Sequence, residues 1–229
     1  MLKLKSLSQI YRTEEVETLA LQNIDIDIQS GEFVAIMGPS GCGKSTLLNI
    51  IGLLDNPSGG HYYFKGEDIA GYSESQLSVI RKKHIGFIFQ SFNLIDELSV
   101  EENIELALLY HKTPALERKE RVAKVLDKVG LSHRAKHMPY QLSGGQQQRV
   151  AVARAIVGSQ DVILADEPTG NLDSIHGQEV MEMLRSLNSE GVTIIMVTHS
   201  QSHADFADRT IHLHDGQVVG SEDMIKVAV

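Results

Sequence analysis

Phe33-Val34-Ala35-Ile36-Met37-Gly38-Pro39-Ser40-Gly41-Cys42-Gly43-Lys44-Ser45-Thr46 is the stretch that decides the fold. Its opening apolar run has the pattern of a strand buried on both faces. From Gly38 the spacing is G-x-x-x-x-G-K-[ST], a loop that cradles phosphate between a strand and a helix. Its glycines let the backbone approach phosphate oxygens, and several N–H groups converge on them. The helix that opens here turns its positive dipole end towards the same charge. Gly38, Ser40, Gly41, Cys42, Gly43, Lys44, Ser45 and Thr46 are therefore candidate nucleotide contacts. Lys44 is suited to bridge the β- and γ-phosphates, and Ser45 to offer its hydroxyl to Mg²⁺. Cys42 reads as a small residue facing the phosphate cavity. Leu47, Leu48, Ile50, Ile51 and Leu54 fit the inward face of the helix.

Working outward, Ile24, Ile26 and Ile28 alternate with polar residues as in a half-buried strand. Residues 56–66, with Pro57, paired glycines and Tyr62-Tyr63-Phe64, read as a hairpin at a sheet edge. The middle is helical. Ser99 and Glu102 form a capping box, and Val122, Val125, Leu126 and Val129 make an apolar stripe that ends at Gly130. A further helix opens at Gly144-Gly145 and stops near Gly158. Strand and helix then alternate: strand 161–166, helix 175–190, strand 192–198, helix 201–207, and a closing hairpin turned by Asp215-Gly216. Val180, Met183, Leu184 and Leu187 are core positions of the long helix, and His212 and His214 read as surface residues. This order predicts an α/β fold with a mostly parallel sheet covered on both faces.

The apolar run Val162-Ile163-Leu164-Ala165 ends in Asp166-Glu167. A carboxylate at a strand end can hold Mg²⁺, which suits Asp166. Glu167, placed beside a γ-phosphate, can polarise an attacking water as general base.

The chain has 229 residues, 42% of them hydrophobic, enough for one large domain with a substantial core. A net charge of −9 with scattered Lys and Arg argues against a nucleic-acid partner. Arg81-Lys82-Lys83, the densest basic cluster, reads as a solvated face. Cys42 is the single cysteine, so no intrachain disulfide forms. No signal peptide is evident, and no apolar run approaches the ~20 residues of a membrane-spanning helix. Service to a membrane would go through another chain.

Leu142-Ser143-Gly144-Gly145-Gln146, set between the phosphate loop and the acid pair, resembles the signature of the ATP-binding cassette (ABC) family. The resemblance runs from about residue 2 to 221. It implies a P-loop NTPase (RecA-like) core with an antiparallel β subdomain, at 1–90 and 160–221, and a helical signature subdomain at about 91–158. It assigns Tyr11 to stacking on adenine and Gln90 to sensing Mg²⁺ and the attacking water. It assigns Asp173 of Asn171-Leu172-Asp173 to a contact across a dimer, and His199 to the γ-phosphate. Ser143, Gly144, Gly145 and Gln146 open a helix and make a second anion site. The Lys44 loop already has its donors, so this second site is expected to serve the ATP of another subunit, turned head to tail in a closed dimer.

Three stretches are similar to the macrolide-exporter and lipoprotein-releasing branch: Lys83–Leu94, the run ending at Asp173, and the loop between Tyr11 and Leu21. That branch implies an ATPase on the cytoplasmic face of the inner membrane, a second ATPase subunit, and a permease on a separate chain. Phe92, Leu94, Ile95 and Leu98 are then expected at the groove that receives a cytoplasmic helix of the permease. The rival expectation is a soluble cassette ATPase of DNA repair or translation.

Overall fold

A computed structural model describes residues 1–12, 16–110 and 113–220. Two sheets carry the fold. One has four antiparallel strands in the order β2-β1-β4-β5: β1 is Leu2–Arg12, β2 Glu17–Ile28, β4 Gly59–Phe64 and β5 Glu67–Asp68. The other has six strands in the order β10-β9-β3-β8-β7-β6. Here β3 is Phe33–Met37, β6 Ile85–Phe89, β7 Val162–Asp166, β8 Thr193–Val197, β9 Arg209–His214 and β10 Gln217–Val219. All its neighbours pair in parallel except β9 with β10.

The parallel strands are buried on both faces. In β3, Val34 and Ile36 enter the core shared with the antiparallel sheet, while Phe33 and Ala35 enter the core on the opposite face. β7 and β8 divide their side chains the same way. The period of two thus serves two cores at once, as their uninterrupted apolarity requires.

α1 (Lys44–Ile51) fills the first core, with α2 (Glu74–His84) at its margin through Leu77. α5 (Gly144–Ile156) and α6 (Ser174–Ser189) cover the second face. α3 (Val100–Leu109) and α4 (Ala115–Lys128) pack with α5 around a third core that includes Val100, Ile104, Leu126 and Val150. α7 (Gln201–Ala204) is a single short turn.

Several expectations are corrected. α1 ends at Ile51, so Leu54 lies beyond it and is 46% exposed. Gly52 sits where a Cβ would come within 2.6 Å of the Phe87 ring, and Leu53 turns to φ +58°. Arg81 is not a solvated cation: its guanidinium donates to the Leu53 carbonyl and pairs with Glu74. His212 is half-buried beside Met37, with its Nδ1 enclosed. Met181 is a buried core residue of α6 that the stripe did not include, and Met183 is half-buried but packs against two of the cores as expected. Between Tyr11 and Leu21 most residues are strand, with Arg12 opposite Glu17. Residues 13–15 of that stretch, and the expected domain limit at 221, lie outside the described residues.

Candidate active site

The candidate residues gather at the carboxyl ends of parallel strands. The phosphate loop leaves β3, Asp166 ends β7, His199 follows β8 and Gln90 follows β6. Ligands of open α/β sheets bind at this edge. Ser40, Gly41, Gly43, Lys44, Ser45, Thr46, Asp166 and Glu167 line one cavity of about 540 Å³. Thr18, Leu19, Ala20, Val197, Asp215 and Gly216 complete its wall.

Gly43 caps α1 at φ +101°, in the left-handed region, where a Cβ would lie 2.6 Å from the Ala20 carbonyl oxygen. Only glycine meets both conditions without strain. Lys44 Nζ donates to the carbonyls of Gly38 and Pro39 at 2.7 and 2.8 Å. Gly38 lies against Leu213 and the Cys42 sulfur. The Cys42 side chain does not face the cavity as expected: it is buried in the first core, 4.0 Å from Lys44 Nζ. Its carbonyl accepts the Gly216 N–H at 3.0 Å, which fastens the closing hairpin to the loop.

Asp166 is half-buried. Burial raises its pKa first, and the adjacent Glu167 carboxylate raises it further, against the pull of Lys44. That environment favours a cation beside the pair. Glu167 adopts φ +47°, an uncommon conformation for a residue with a side chain. Two hydrogen bonds hold it: its N–H donates to Val197 O at 3.0 Å, and its carbonyl accepts from Gly170 N at 2.9 Å. His199 Nδ1 lies 2.9 Å from Glu167 Oε2, with the imidazole 74% exposed and the carboxylate 18% exposed. Behind them, His203 Nδ1 meets Thr169 Oγ1 at 2.9 Å. Burial, then His199, pushes the His203 pKa down, against the pull of Glu167.

Gln90 is exposed and turned to the side. Its amide donates to Asn171 Oδ1 at 3.2 Å, and Asn171 Nδ2 donates to the Gln90 carbonyl at 3.0 Å. Tyr11 stands partly exposed at the end of β1 and donates to Asp55 Oδ2 at 2.9 Å. Burial and Asp55 raise its phenol pKa.

Ser143, Gly144, Gly145 and Gln146 are not among the residues lining the Lys44 cavity. Ser143 caps α5, its hydroxyl accepting from Gln146 N at 3.3 Å, and Gln146 Oε1 accepts from Ser143 N at 3.1 Å. Asp173 caps α6 through the N–H groups of Ile175 and His176, and its other oxygen lies 2.7 Å from His176 Nδ1. The His176 backbone N–H is the main cause of Asp173's lowered pKa. The His176 ring lies over Gly145. The signature and the segment ending at Asp173 are thus neighbours on one chain.

A separate groove of about 710 Å³ runs between Leu54, Phe87, Phe89, Tyr110, Arg81 and Arg154. Of the segment 92–98 only Asn93 lines it. Leu94 packs on the helical core instead, and the Phe92 carbonyl accepts from Arg154 at 2.9 Å.

The sequence did not single out Asn171, His176, Gln148 or the wall residues Thr18–Ala20. The Asp215-Gly216 pair, read only as a turn, and the loop between Tyr11 and Leu21, read only as a likeness to the exporter branch, were the signals for that wall.

The model of the family described as ABC transporter matches residues 21–170. This chain belongs to the ABC transporter family. It is an ATP-binding ATPase cassette of that family. The ABC transporter ATP-binding protein MJ1508 of Methanocaldococcus jannaschii is 51% identical over 219 residues, covering 96% of this chain and 98% of that protein. The macrolide export ATP-binding/permease protein MacB of Azoarcus is 49% identical over 219 residues, which are 96% of this chain and 33% of MacB. This cassette therefore spans about a third of that ATPase–permease. A dimeric post-hydrolysis structure of the cassette MJ0796, bound to ADP and Pi, is 45% identical with a TM-score of 0.88, over 96% of this chain and 97% of that one. Among the described residues no helix is long and apolar enough to cross a membrane.

Proposed function

We propose that this ABC cassette hydrolyses ATP at two composite sites of a head-to-tail dimer and drives a separate membrane permease of the exporter type. One observation carries the reading: Lys44, Ser45, Asp166 and Glu167 meet in a single cavity, while the signature helix opens outside it.

Lys44 and the loop amides hold the β- and γ-phosphates, and Tyr11 supports the adenine. Glu167 accepts the proton of the attacking water as it adds to the γ-phosphorus, and the bond to the ADP oxygen breaks in line. With Nδ1 directed at Glu167, His199 orients the base and leaves Nε2 for a γ-phosphate oxygen. Ser45 and Asp166 share the cavity wall and would hold Mg²⁺ through their oxygens, and Gln90, which follows β6 at the same sheet edge, would add its amide oxygen. Bound there, Mg²⁺ would neutralise charge across the β- and γ-phosphates. Ser143, Gly144, Gly145 and Gln146 of one subunit meet the γ-phosphate held by its partner, and Asp173 reaches towards the same interface. The apolar groove with Arg81 and Arg154 at its sides suits a short cytoplasmic helix of the permease. On this reading the cassette works at the cytoplasmic face of the inner membrane.

The test is Glu167→Gln. Turnover is expected to fall by about 10²–10⁴-fold, the range for loss of a general base. With ATP and Mg²⁺ the variant should elute from a sizing column as a dimer, and without nucleotide as a monomer. Wild-type turnover, or a monomer at saturating ATP, would overturn the reading.

A further inference from the structure

Gln148 is a buried polar side chain that the hydrolytic reading leaves unused. It lies in the second turn of α5, wholly excluded from solvent. Its amide nitrogen donates to the carbonyl of Pro168 at 2.6 Å and, at a longer 3.4 Å, to that of Phe89. Pro168 directly follows Glu167, and Phe89 directly precedes Gln90. One amide therefore ties the helix that opens at the signature to both segments that carry the base and the sensing glutamine.

Packing alone does not account for this choice. Gln148 Oε1 is buried without a hydrogen-bond partner. A buried polar atom left unpaired costs about 1–3 kcal/mol, which an apolar side chain of the same length avoids. The amide's two donor contacts are what this position gains in exchange. They are also short-range: Gln148 stands five residues beyond Ser143, about 7–8 Å along a rigid helix at ~1.5 Å per residue.

We propose that Gln148 is a positioning residue that transmits engagement of the signature helix to Glu167 and Gln90 of the same chain. The inference rests on the reading of Ser143–Gly145 as the site for a partner's γ-phosphate and of Glu167 as the base. When α5 moves onto that phosphate, the amide moves with it and draws the Pro168 and Phe89 carbonyls along. The two composite sites of the dimer are thereby linked through each chain's own Gln148.

The experiment compares Gln148→Met, which keeps length and removes both donors, with Val150→Ala, which loosens the same helix at an apolar position. Gln148→Leu, which also removes both donors without burying a charge, is used if the methionine variant does not fold. Each variant is assayed for kcat, KM and ATP Kd at a temperature where all are folded. The Gln148 variant is expected to lose at least about fivefold in kcat beyond Val150→Ala, with Kd for ATP unchanged within about twofold. A smaller kcat loss, or a loss carried by Kd, overturns the proposal. Wild-type turnover in Glu167→Gln would sink the underlying reading. A fully active Gln148 variant beside an inactive Glu167→Gln sinks this inference alone.

Discussion

Two helices of this molecule open on glycine-rich motifs, and they open differently. α1 begins after Gly43 in a left-handed conformation, with no side chain capping its first amides. Its own chain walls it in with Asp166, Glu167, residues 18–20 and Asp215. α5 begins after Ser143 in an extended conformation, and a reciprocal Ser143–Gln146 capping box satisfies its first turn. It opens beside Leu172, Asn171 and Phe92, away from that cavity. The first helix end leaves its amides for a ligand that the chain already surrounds. The second is stable by itself, yet the Ser143 hydroxyl, which accepts from Gln146, still has its own hydrogen to donate. A helix terminus that is capped but keeps a spare donor is suited to a phosphate brought by another molecule.

Breaking the comparison takes one substitution at each helix. Lys44→Ala should weaken ATP binding by about 100-fold or more, because charge-assisted contacts to phosphate are lost. Ser143→Arg should leave ATP affinity within about threefold, read by fluorescent-nucleotide titration, while turnover falls more than about 100-fold. If Ser143→Arg weakened binding as much as Lys44→Ala, both helices would serve the same nucleotide.

A finer test concerns how tightly α5 is seated. A Cβ at Gly145 would meet the His176 ring at 2.6–2.9 Å. Gly145→Ala should cost about 1–3 kcal/mol of overpacking, lowering Tm by about 2–12 °C in a chain of this size. Adding His176→Ala should restore most of that loss, which a double-mutant cycle by calorimetry would register.

The smallest effect is on α1's side. The Asp166 pKa is raised in the fold by burial and by Glu167. A raised carboxyl pKa means the folded state holds its proton more tightly than the unfolded chain. Stability from this group is therefore lost as pH climbs from the ordinary carboxylate value through the raised one. Asp166→Asn removes the cost of that charge and should raise the Tm of nucleotide-free protein by about 1–3 °C at pH 7, narrowing to nothing near pH 3. A lower Tm at pH 7 would show that the carboxylate stabilises the free cassette.

The strand, loop and helix at 33–51 were legible because their signals are local: an apolar run, glycines at fixed spacing, then a 3.6-residue stripe. Leu54 marks where that logic stops. The stripe continues past Ile51, but the Phe87 ring crowds Gly52 and the helix ends. Arg81 carried every sign of a solvent cation, yet its partner carbonyl at Leu53 lies 28 residues away. The link between Gln90 and Asn171 spans 81 positions. Periodicity assigns a side chain to a face but does not name the residue waiting there. For the same reason Cys42, inside a loop correctly read, was turned to the cavity when its sulfur belongs to the core.

The place of β3 in the sheet has a consequence for the making of the protein. β3 lies between β8 and β9, with Phe33 beside Ile194 and Val34 beside Arg209. The phosphate loop leaves the ribosome well before β8 and β9, the strands that brace it. Pairings between such distant segments form late, after long loops have closed. Nucleotide binding is thus acquired only after β8 and β9 have been made. A chain halted before β8 should carry the whole motif and hold no ATP.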